Sequence, residues 1–329
     1  MTEIRFIAGS GRSGTTWILD ALASANRLRP VFEPLHPYIS EVGKRYAHRA
    51  LSADEEHPDL KAFFFQVSAG HGPRLWTQYR HQRRWLLPAA EEFWSKKDAG
   101  RTKRHWVKFL REMPQMTVNG FRKLPLVKCI RANLMLPWIA RQLPSRIVLI
   151  VRHPGAVVES ELRGRWNASY ALDRFRNDEL LHELTQDRYR SLLGRKLTHV
   201  ESLTLRWVIE NQWVIESARA QAVPVIHYET LRSADKSAWP SLCDALGVSQ
   251  LPDQTVLTRP SQQSRTDRSL IPLSQAERPR WMTELNRANA REVQGILDMV
   301  AFQAYSMDDP NPRPEHGSVA QVNPARART

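Results

Sequence analysis

Cysteine is nearly absent from this chain, which contains only Cys129 and Cys243 among its 329 residues. Two thiols cannot build the disulfide framework of a small secreted domain, nor supply four sulfur ligands to a structural zinc ion. The histidines show no spacing typical of zinc or magnesium ligands, so we expect no metal. A reducing compartment fits this composition best.

Long apolar runs are also missing, since no uninterrupted stretch approaches the roughly 18 residues of a membrane-spanning helix. The first strand signal lies at 4–8, which leaves no room before it for the charged and apolar regions of a signal peptide. We therefore expect a soluble, cytoplasmic protein.

Acidic side chains are in deficit: 34 aspartates and glutamates stand against 48 lysines and arginines, for a formal net charge of +14. A net positive charge of this size attracts anionic small molecules, nucleic acids and anionic lipids alike. A bias toward arginine on a solvated surface explains the charge equally well. The charge alone therefore names no partner.

Short β-rich runs alternate with amphipathic stretches, which predicts an α/β fold with a largely parallel sheet. A composition of 42% hydrophobic and 25% charged residues excludes wholesale disorder and favours one domain over 1–307. The predicted strands are 4–8, 30–33, 124–129, 146–151 and 223–227. The predicted helices are 17–24, 134–142, 155–162, 203–221, 237–246 and 288–305.

Three segments differ from this pattern. Residues 39–115 are predicted to be a helical insertion, a lid or acceptor platform, and 163–200 a second, polar helical insertion. The tail 308–329 is basic and lacks periodicity, so we expect it to be disordered. The tryptophans of the first insertion could stack on the face of a sugar ring or of a nucleic-acid base. Tryptophans at helical spacing are, however, more often core residues. The tryptophans of this insertion are Trp76, Trp85, Trp94 and Trp106.

A glycine-rich loop follows the first predicted strand and opens the first predicted helix. Gly9, Gly11 and Gly14 allow close approach to a ligand, and the helix N-terminus favours an anion. The glycine spacing fits a dinucleotide fingerprint, with Glu33 as the ribose-binding acid. It also fits a Walker loop without its lysine, where Arg12 carries the positive charge. A plain structural turn is the remaining interpretation.

A second candidate anion site follows the strongest predicted strand, 146–151. Arg152 lies at the strand end and Ser160 in the next predicted helix. The carboxyl ends of strands are where α/β sheets place ligands. Two such turns suit one nucleotide with phosphates at both ends, whereas an isolated arginine here is more often part of a surface ion pair.

These residues resemble those of sulfotransferases that use 3′-phosphoadenosine 5′-phosphosulfate (PAPS). Arg-Ser-Gly-Thr-Thr-Trp at 12–17 resembles their 5′-phosphosulfate loop, and Arg152 with Ser160 resembles their 3′-phosphate motif. Residues 225–231 are similar to a Tyr-Glu-Asp-Leu element, with Thr230 in place of the aspartate. The resemblance implies a P-loop-like three-layer fold and transfer of a sulfuryl group from PAPS to an acceptor.

Two further segments look closer to the carbohydrate sulfotransferase branch. Phe-Glu-Pro-Leu-His at 32–36 carries its Glu-Pro pair, and 127–131 carries its Lys-x-x-Arg pattern. The catalytic histidine of the aryl and steroid branch has no counterpart at 121–125. The resemblance therefore implies a hydroxyl acceptor on a carbohydrate or glycoconjugate.

The resemblance also implies which residues hold the donor. One group would bind the 5′-phosphate through backbone N–H groups, hydroxyls and a guanidinium. Its members are Arg12, Ser13, Gly14, Thr15 and Thr16. Trp17 would stack on adenine and Tyr228 would contact the adenine side, while Arg152 and Ser160 would hold the 3′-phosphate.

For the reaction itself, Glu33 is the candidate base that takes the proton of the acceptor hydroxyl. Structural pairing of Glu33 with a neighbouring arginine is the alternative. Lys128 would stabilise the transferring sulfuryl oxygens, or be an ordinary surface charge, and Arg12 would stabilise the departing anion. Arg265 or Arg268 is a further candidate for the 3′ site.

Other classes of protein remain open at this point. A P-loop kinase shares the sheet and loop but normally carries a lysine in the loop. An NAD-dependent oxidoreductase explains the glycines and Glu33, though not Arg152 with Ser160. A non-enzymatic binder of nucleic acid or anionic glycans explains the net charge. The sequence carries no signal for the oligomeric state.

Overall fold

The computed structural model describes residues 3–71, 124–233, 237–257 and 279–313. Five parallel strands form one sheet in the order β2-β3-β1-β4-β5. The strands are β1 (Ile4–Ala8), β2 (Arg29–Phe32), β3 (Pro125–Lys128), β4 (Ser145–Val151) and β5 (Val225–His227). The predicted α/β fold with a mostly parallel central sheet is confirmed.

Helices connect and cover the strands. Within the described residues they are α1 (Thr15–Ala25), α2 (Glu41–Tyr46), α3 (Pro58–Ala69), α4 (Leu136–Gln142), α5 (Pro154–Gly164), α6 (Ser169–Arg176), α7 (Glu179–Leu184), α8 (Arg190–Leu193), α9 (His199–Ala220), α10 (Tyr228–Arg232), α11 (Ala238–Leu246), α12 (Gln254–Leu257), α13 (Arg280–Glu284) and α14 (Arg287–Met299). No helix in this part of the chain is both long and apolar enough to cross a membrane.

The core lies on both faces of the sheet. Successive side chains of a strand alternate between faces, so Phe6 of β1 joins one apolar cluster and Ile7 joins the other. The first cluster is built with α3, α4, α5, α9 and α14, and the second with α1 and α11. Burial of both faces explains the unbroken apolar run of β4. The result is the expected P-loop-like arrangement of three layers.

Helix ends account for the main differences from the predicted bounds. The helix predicted at 203–221 starts earlier, at His199, because Thr198 and Glu201 form a capping box. The helix predicted over 288–305 ends at Met299, so the prediction was wrong for its last six residues. Ala301 has a φ of 51°, the left-handed conformation that commonly ends helices.

The segments predicted to stand apart are packed into the domain where the structure describes them. In 39–71, Phe64 of α3 packs edge-on against Phe6 at 6.0 Å between ring centroids. The part at 72–115, with the four tryptophans named above, lies outside the described residues. Residues 163–200 are helical as expected, and Phe175 and Tyr189 are buried in the same cluster as α9.

The beginning of the predicted tail is held against the domain. The Arg313 N–H donates to the carbonyl of Ala304, and the carbonyl of Asp309 contacts the His153 ring at 3.1 Å. Residues 314–329 lie outside the described part of the chain.

Candidate active site

The carboxyl ends of the five parallel strands bring the predicted site residues to one edge of the sheet. β1 leads into the glycine loop, β2 into Glu33, β4 into Arg152 and β5 into Tyr228, while Lys128 is the last residue of β3. Ligands of open α/β sheets bind at this edge. The topology alone therefore gathers residues that are far apart in the sequence.

The loop conformation depends on its glycines. Gly14 has a φ of +86°, and a Cβ added there would lie 2.3 Å from a ring carbon of Tyr228. A Cβ at Gly9 would lie 2.6 Å from the carbonyl oxygen of Ile150. Both positions therefore require glycine, for conformation and for space.

Replacing Gly14 by alanine is expected to displace the loop from Tyr228, because both the clash and the positive φ oppose the new methyl group. If this loop holds the phosphosulfate of PAPS, as the resemblance implies, binding of the product adenosine 3′,5′-bisphosphate should weaken by at least about tenfold, which corresponds to roughly 1.4 kcal/mol. Titration calorimetry measures the effect. Gly295→Ala is the matched control, since nothing lies within 4 Å of a Cβ there and helix propensity favours alanine. Equal affinity in both variants would contradict the structural role of Gly14.

Arg12 joins the two predicted anion sites. Its Nε donates to Ser160 Oγ at 2.9 Å, across 148 residues of sequence. Arg152 Nη1 in turn donates to the carbonyl of Arg12 at 2.9 Å. Arg12 itself has a φ of 63°, within the left-handed region. The loop after β1 and the turn after β4 thus form one continuous cationic surface.

The other loop residues have unequal access. Ser13 is fully buried, and its N–H and hydroxyl both donate to the Ser10 carbonyl. Ser13 therefore shapes the loop in this arrangement rather than pointing a donor outward. Thr15 is buried and Thr16 is partly exposed in the first turn of α1. Gly14, the cap of α1, supplies no side-chain acceptor, so the first N–H groups of the helix remain suited to an anion.

Aromatic side chains line one side of the cationic surface. The Arg152 guanidinium lies 4.6 Å from the Tyr228 ring centroid, and Tyr228 meets Trp17 edge-on at 5.7 Å. Trp17 is 4% exposed and also packs against Trp239 at 5.4 Å. Tyr228 is therefore the more accessible of the two predicted adenine contacts, whereas Trp17 belongs to the core beneath it.

Glu33 is held by two cations. Its carboxylate accepts hydrogen bonds from Lys128, from Arg131 Nη1 at 2.8 Å, and from the Ile130 N–H at 3.2 Å. Burial alone would raise the pKa of Glu33, but the charges of Lys128 and Arg131 lower it to about 2. The carboxylate is therefore ionised at neutral pH. The structure brings Glu33 and Lys128 together, and it adds the arginine partner that sequence reasoning considered as an alternative.

A buried polar layer connects this carboxylate with the loop. Asn133 Oδ1 accepts from the Gly9 N–H at 2.9 Å, and Asn133 Nδ2 donates to the carbonyl of Glu210. The His48 N–H donates to the carbonyl of Arg131, and His48 Nδ1 lies 3.0 Å from a carboxylate oxygen of Glu210. Sequence reasoning missed these residues because they come from separate helices and loops and belong to no motif.

A second buried network fixes the turns after β4 and β5. Glu229 accepts from the His153 N–H at 2.9 Å and from the Tyr305 hydroxyl at 2.8 Å. Burial raises the pKa of Glu229 and of Tyr305, and it lowers the pKa of His153 to about 4. Thr230, the departure from the expected aspartate, donates to the carbonyl of His227. The segment after α14 therefore braces the strand ends that carry Arg152 and Tyr228.

Comparison with known proteins adds likenesses only at the level of structure. No protein-family model matches the chain, and no curated protein sequence matches it. A sulfotransferase domain of the curacin biosynthetic pathway is 16% identical, with a TM-score of 0.40, over 92% of this chain and 98% of that one. A sulfotransferase domain of the Synechococcus PCC 7002 olefin synthase is 17% identical, with a TM-score of 0.39, over 93% and 97%.

A sulfotransferase from Alicyclobacillus acidocaldarius is 13% identical, with a TM-score of 0.36, over 92% of this chain and 96% of its own. At identities and TM-scores this low, the likenesses carry no argument about the activity of this chain. The described residues contain no group of three or more His, Cys, Asp or Glu side chains that could hold a metal ion.

Proposed function

We propose that this protein is a sulfotransferase that moves a sulfuryl group from PAPS to an acceptor hydroxyl. One observation carries the proposal: Arg12 bonds Ser160 and is itself bonded by Arg152. Two anion sites predicted from separate motifs therefore form one surface. A nucleotide with a phosphate group at each end of its ribose is the ligand that suits two such sites.

In this proposal the donor lies across the carboxyl edge of the sheet. The N-terminus of α1 and Arg12 hold the 5′-phosphosulfate through N–H groups and a guanidinium. Arg152 and Ser160 hold the 3′-phosphate, and Tyr228 contacts the adenine. Charge neutralisation on the departing phosphate is the main catalytic contribution of such a site.

Glu33 and Lys128 would act on the transferring group. The acceptor oxygen bonds to sulfur while the bond from sulfur to the phosphate oxygen breaks. Adenosine 3′,5′-bisphosphate leaves with the electron pair, and the acceptor proton passes to Glu33. A carboxylate with a pKa of about 2 is a weak base. The proposal therefore requires Lys128 to leave Glu33 for the sulfuryl oxygens when the donor binds, which raises the basicity of Glu33.

Strand order speaks against the dinucleotide alternative. In nicotinamide-binding sheets of the Rossmann type, the strand that carries the ribose-binding acid lies next to the first strand. Here β3 lies between β1 and β2, and Glu33 is bound by Lys128 and Arg131. The acid at the end of β2 is thus separated from the loop and already paired.

The acceptor is proposed to be a carbohydrate or glycoconjugate. Support comes from the Glu-Pro pair at 33–34 and the Lys-x-x-Arg pattern at 128–131. The structure adds that the acid, the lysine and the arginine of these two patterns form one cluster. A cytoplasmic location remains an expectation from the sequence.

A thermal-shift comparison tests the donor class. Adenosine 3′,5′-bisphosphate without magnesium is expected to raise the melting temperature by several degrees, since a ligand at 100 times its Kd stabilises by about 2.7 kcal/mol. ATP with magnesium and NAD are the control ligands, and each should change the melting temperature much less. A response to either of these, and none to the bisphosphate, would overturn the proposal.

A further inference from the structure

A buried carboxylate lies next to the glycine loop that follows β1. Glu161 follows Ser160 in α5, is fully buried, and accepts a hydrogen bond from Arg206 Nη2 of α9 at 2.5 Å. Arg206 also lies 3.7 Å from the carboxylate of Glu210, one helical turn away. Glu161, Arg206 and Glu210 are each 5% exposed or less. Two acids therefore share one arginine in a site closed to solvent.

This cluster is within contact distance of the loop backbone. A Cβ added at Gly11 would lie 3.4 Å from Glu161 Oε1 and 3.4 Å from Arg206 Nη1. Ser160, which precedes Glu161 in α5, accepts the hydrogen bond from Arg12. Any charge on Glu161 therefore acts at short range on the loop where the phosphate or sulfate would sit, and a buried charge is screened less than an exposed one.

Burial and the neighbouring positive charges shift the pKa of Glu161 in opposite directions. Burial raises its pKa to about 7, against the opposing charge of Arg206. Glu210 raises the pKa further and Arg12 lowers it. These three, from α9 and the loop, are the charged groups that act on it among the described residues. Helices α13 and α14 also pack on α5, and α13 presents Trp281 beside Gly155. Glu161 Oε2 has no hydrogen-bond partner within the described residues, so ionisation leaves part of the charge uncompensated.

We propose that Glu161 is a positioning residue that sets the anion affinity of the loop: its neutral form favours a bound phosphate or sulfate, and its ionised form opposes one. The inference takes the anion site, though not the reaction, from the proposed function. A bound anion repels the ionised carboxylate, so binding near neutral pH is accompanied by proton uptake at Glu161. Affinity is consequently higher below pH 7 than above it.

The test compares the wild type with Glu161→Gln, which retains a hydrogen-bond acceptor for Arg206 and removes the charge. Calorimetry measures Kd for adenosine 3′,5′-bisphosphate and for inorganic sulfate at pH 6 and pH 8.5. At pH 8.5 we expect the variant to bind either ligand more tightly than the wild type, on the order of tenfold. At pH 6 the two proteins should agree within about twofold. Because the ratio of the two proteins is compared, the ionisation of the bisphosphate itself cancels.

Glu159→Gln is the matched control. Glu159 lies on the same helix, but its partner Arg163 is exposed, whereas Arg206, the partner of Glu161, is buried. It should match the wild type at both pH values. A gain in affinity at high pH is a readout that a purely structural Glu161 would not produce. If Glu161→Gln does not fold, sulfate binding to the wild type at pH 7.5 in two buffers of different ionisation enthalpy measures proton uptake directly, and no uptake overturns the inference.

The outcomes separate the inference from the proposed function. Bisphosphate binding with equal affinities of wild type and variant at both pH values overturns the inference alone. A pH-dependent difference for sulfate, without any bisphosphate binding, supports the inference and overturns the proposed function. If neither ligand binds, both are overturned.

Discussion

Replacing Glu33 by glutamine is expected to lower turnover by roughly 10²–10⁴-fold, the range typical of a lost general base, while affinity for the bisphosphate stays near that of the wild type. The amide cannot accept the acceptor proton, yet it is nearly the same size as the carboxylate. Sulfation kinetics and calorimetry on the same preparation measure both quantities. Unchanged turnover would remove Glu33 from the role of base.

The same substitution should also weaken the fold, because Lys128 and Arg131 lose their counter-charge inside the protein. The pKa of Glu33 is lowered from 4.5 to about 2, so its pairing stabilises the fold above pH 4.5 and is lost as the pH falls toward 2. That shift corresponds to about 3 kcal/mol. Urea unfolding at pH 7 should show this difference between wild type and variant, and unfolding near pH 2 should show little.

Arg131→Met distinguishes loss of the proposed base from loss of the ion pairing around Glu33. It removes one cation from Glu33 but leaves the carboxylate and Lys128 in place. If Glu33 is the base, turnover should fall far less than in Glu33→Gln, since the pKa of Glu33 rises and its basicity increases. If Arg131→Met lowers turnover as much as Glu33→Gln does, the pairing rather than the base accounts for the loss.

Replacing Arg12 by alanine is the second substitution with a large expected effect. It removes the hydrogen bond to Ser160 and the guanidinium that would face the departing phosphate. A hydrogen bond to a charged group contributes about 1.5–3 kcal/mol, so we expect bisphosphate affinity to fall by roughly 10- to 150-fold. Turnover should fall further, on the order of 10³-fold, because charge on the leaving group is greatest in the transition state.

Arg163→Ala is the matched control for this experiment. Arg163 lies on α5, the helix of Ser160, and its exposed side chain pairs with Glu159. Its removal should leave affinity and turnover within about twofold of the wild type, as for most exposed ion pairs. Arg12→Lys keeps the charge without the planar fork and should recover only part of the loss. A bisphosphate affinity in Arg12→Ala within about twofold of the wild type would contradict the role of Arg12 in joining the two anion sites.

Local patterns predicted the sheet well. Four of the five predicted strands overlap the observed ones with end points shifted by one residue or less, because short, buried β-branched runs between turns have few other structures available (compare 4–8 with Ile4–Ala8 and 146–151 with Ser145–Val151). The helix predicted at 288–305 failed at its end for the opposite reason. Phe302 and Tyr305 continue an apolar pattern, but they are buried by a turn that leaves the helix axis.

The site was predictable in its parts and not in its connections. The motifs indicated Arg12, Arg152 and Ser160, yet no pattern states that the guanidinium of the first bonds the hydroxyl of the last. The pairing of Glu33 with Lys128 and Arg131 occurs where the adjacent strands β2 and β3 end, and no sequence pattern states which side chains meet there. Ser13 was expected to hold phosphate, and the turn with Ser10 directs its donors inward.

The sequence by itself determined the α/β class, the glycine loop and the kinds of side chain available for an anion, since each depends on composition and spacing over short distances. Only the tertiary structure decided which of these side chains meet and how strongly each is charged. Glu161 shows why: burial, Arg206 and Glu210 together bring its pKa to about 7, and all three depend on helices that are far apart in the chain. Charge in a protein interior is a property of the assembled surroundings and not of the residue type.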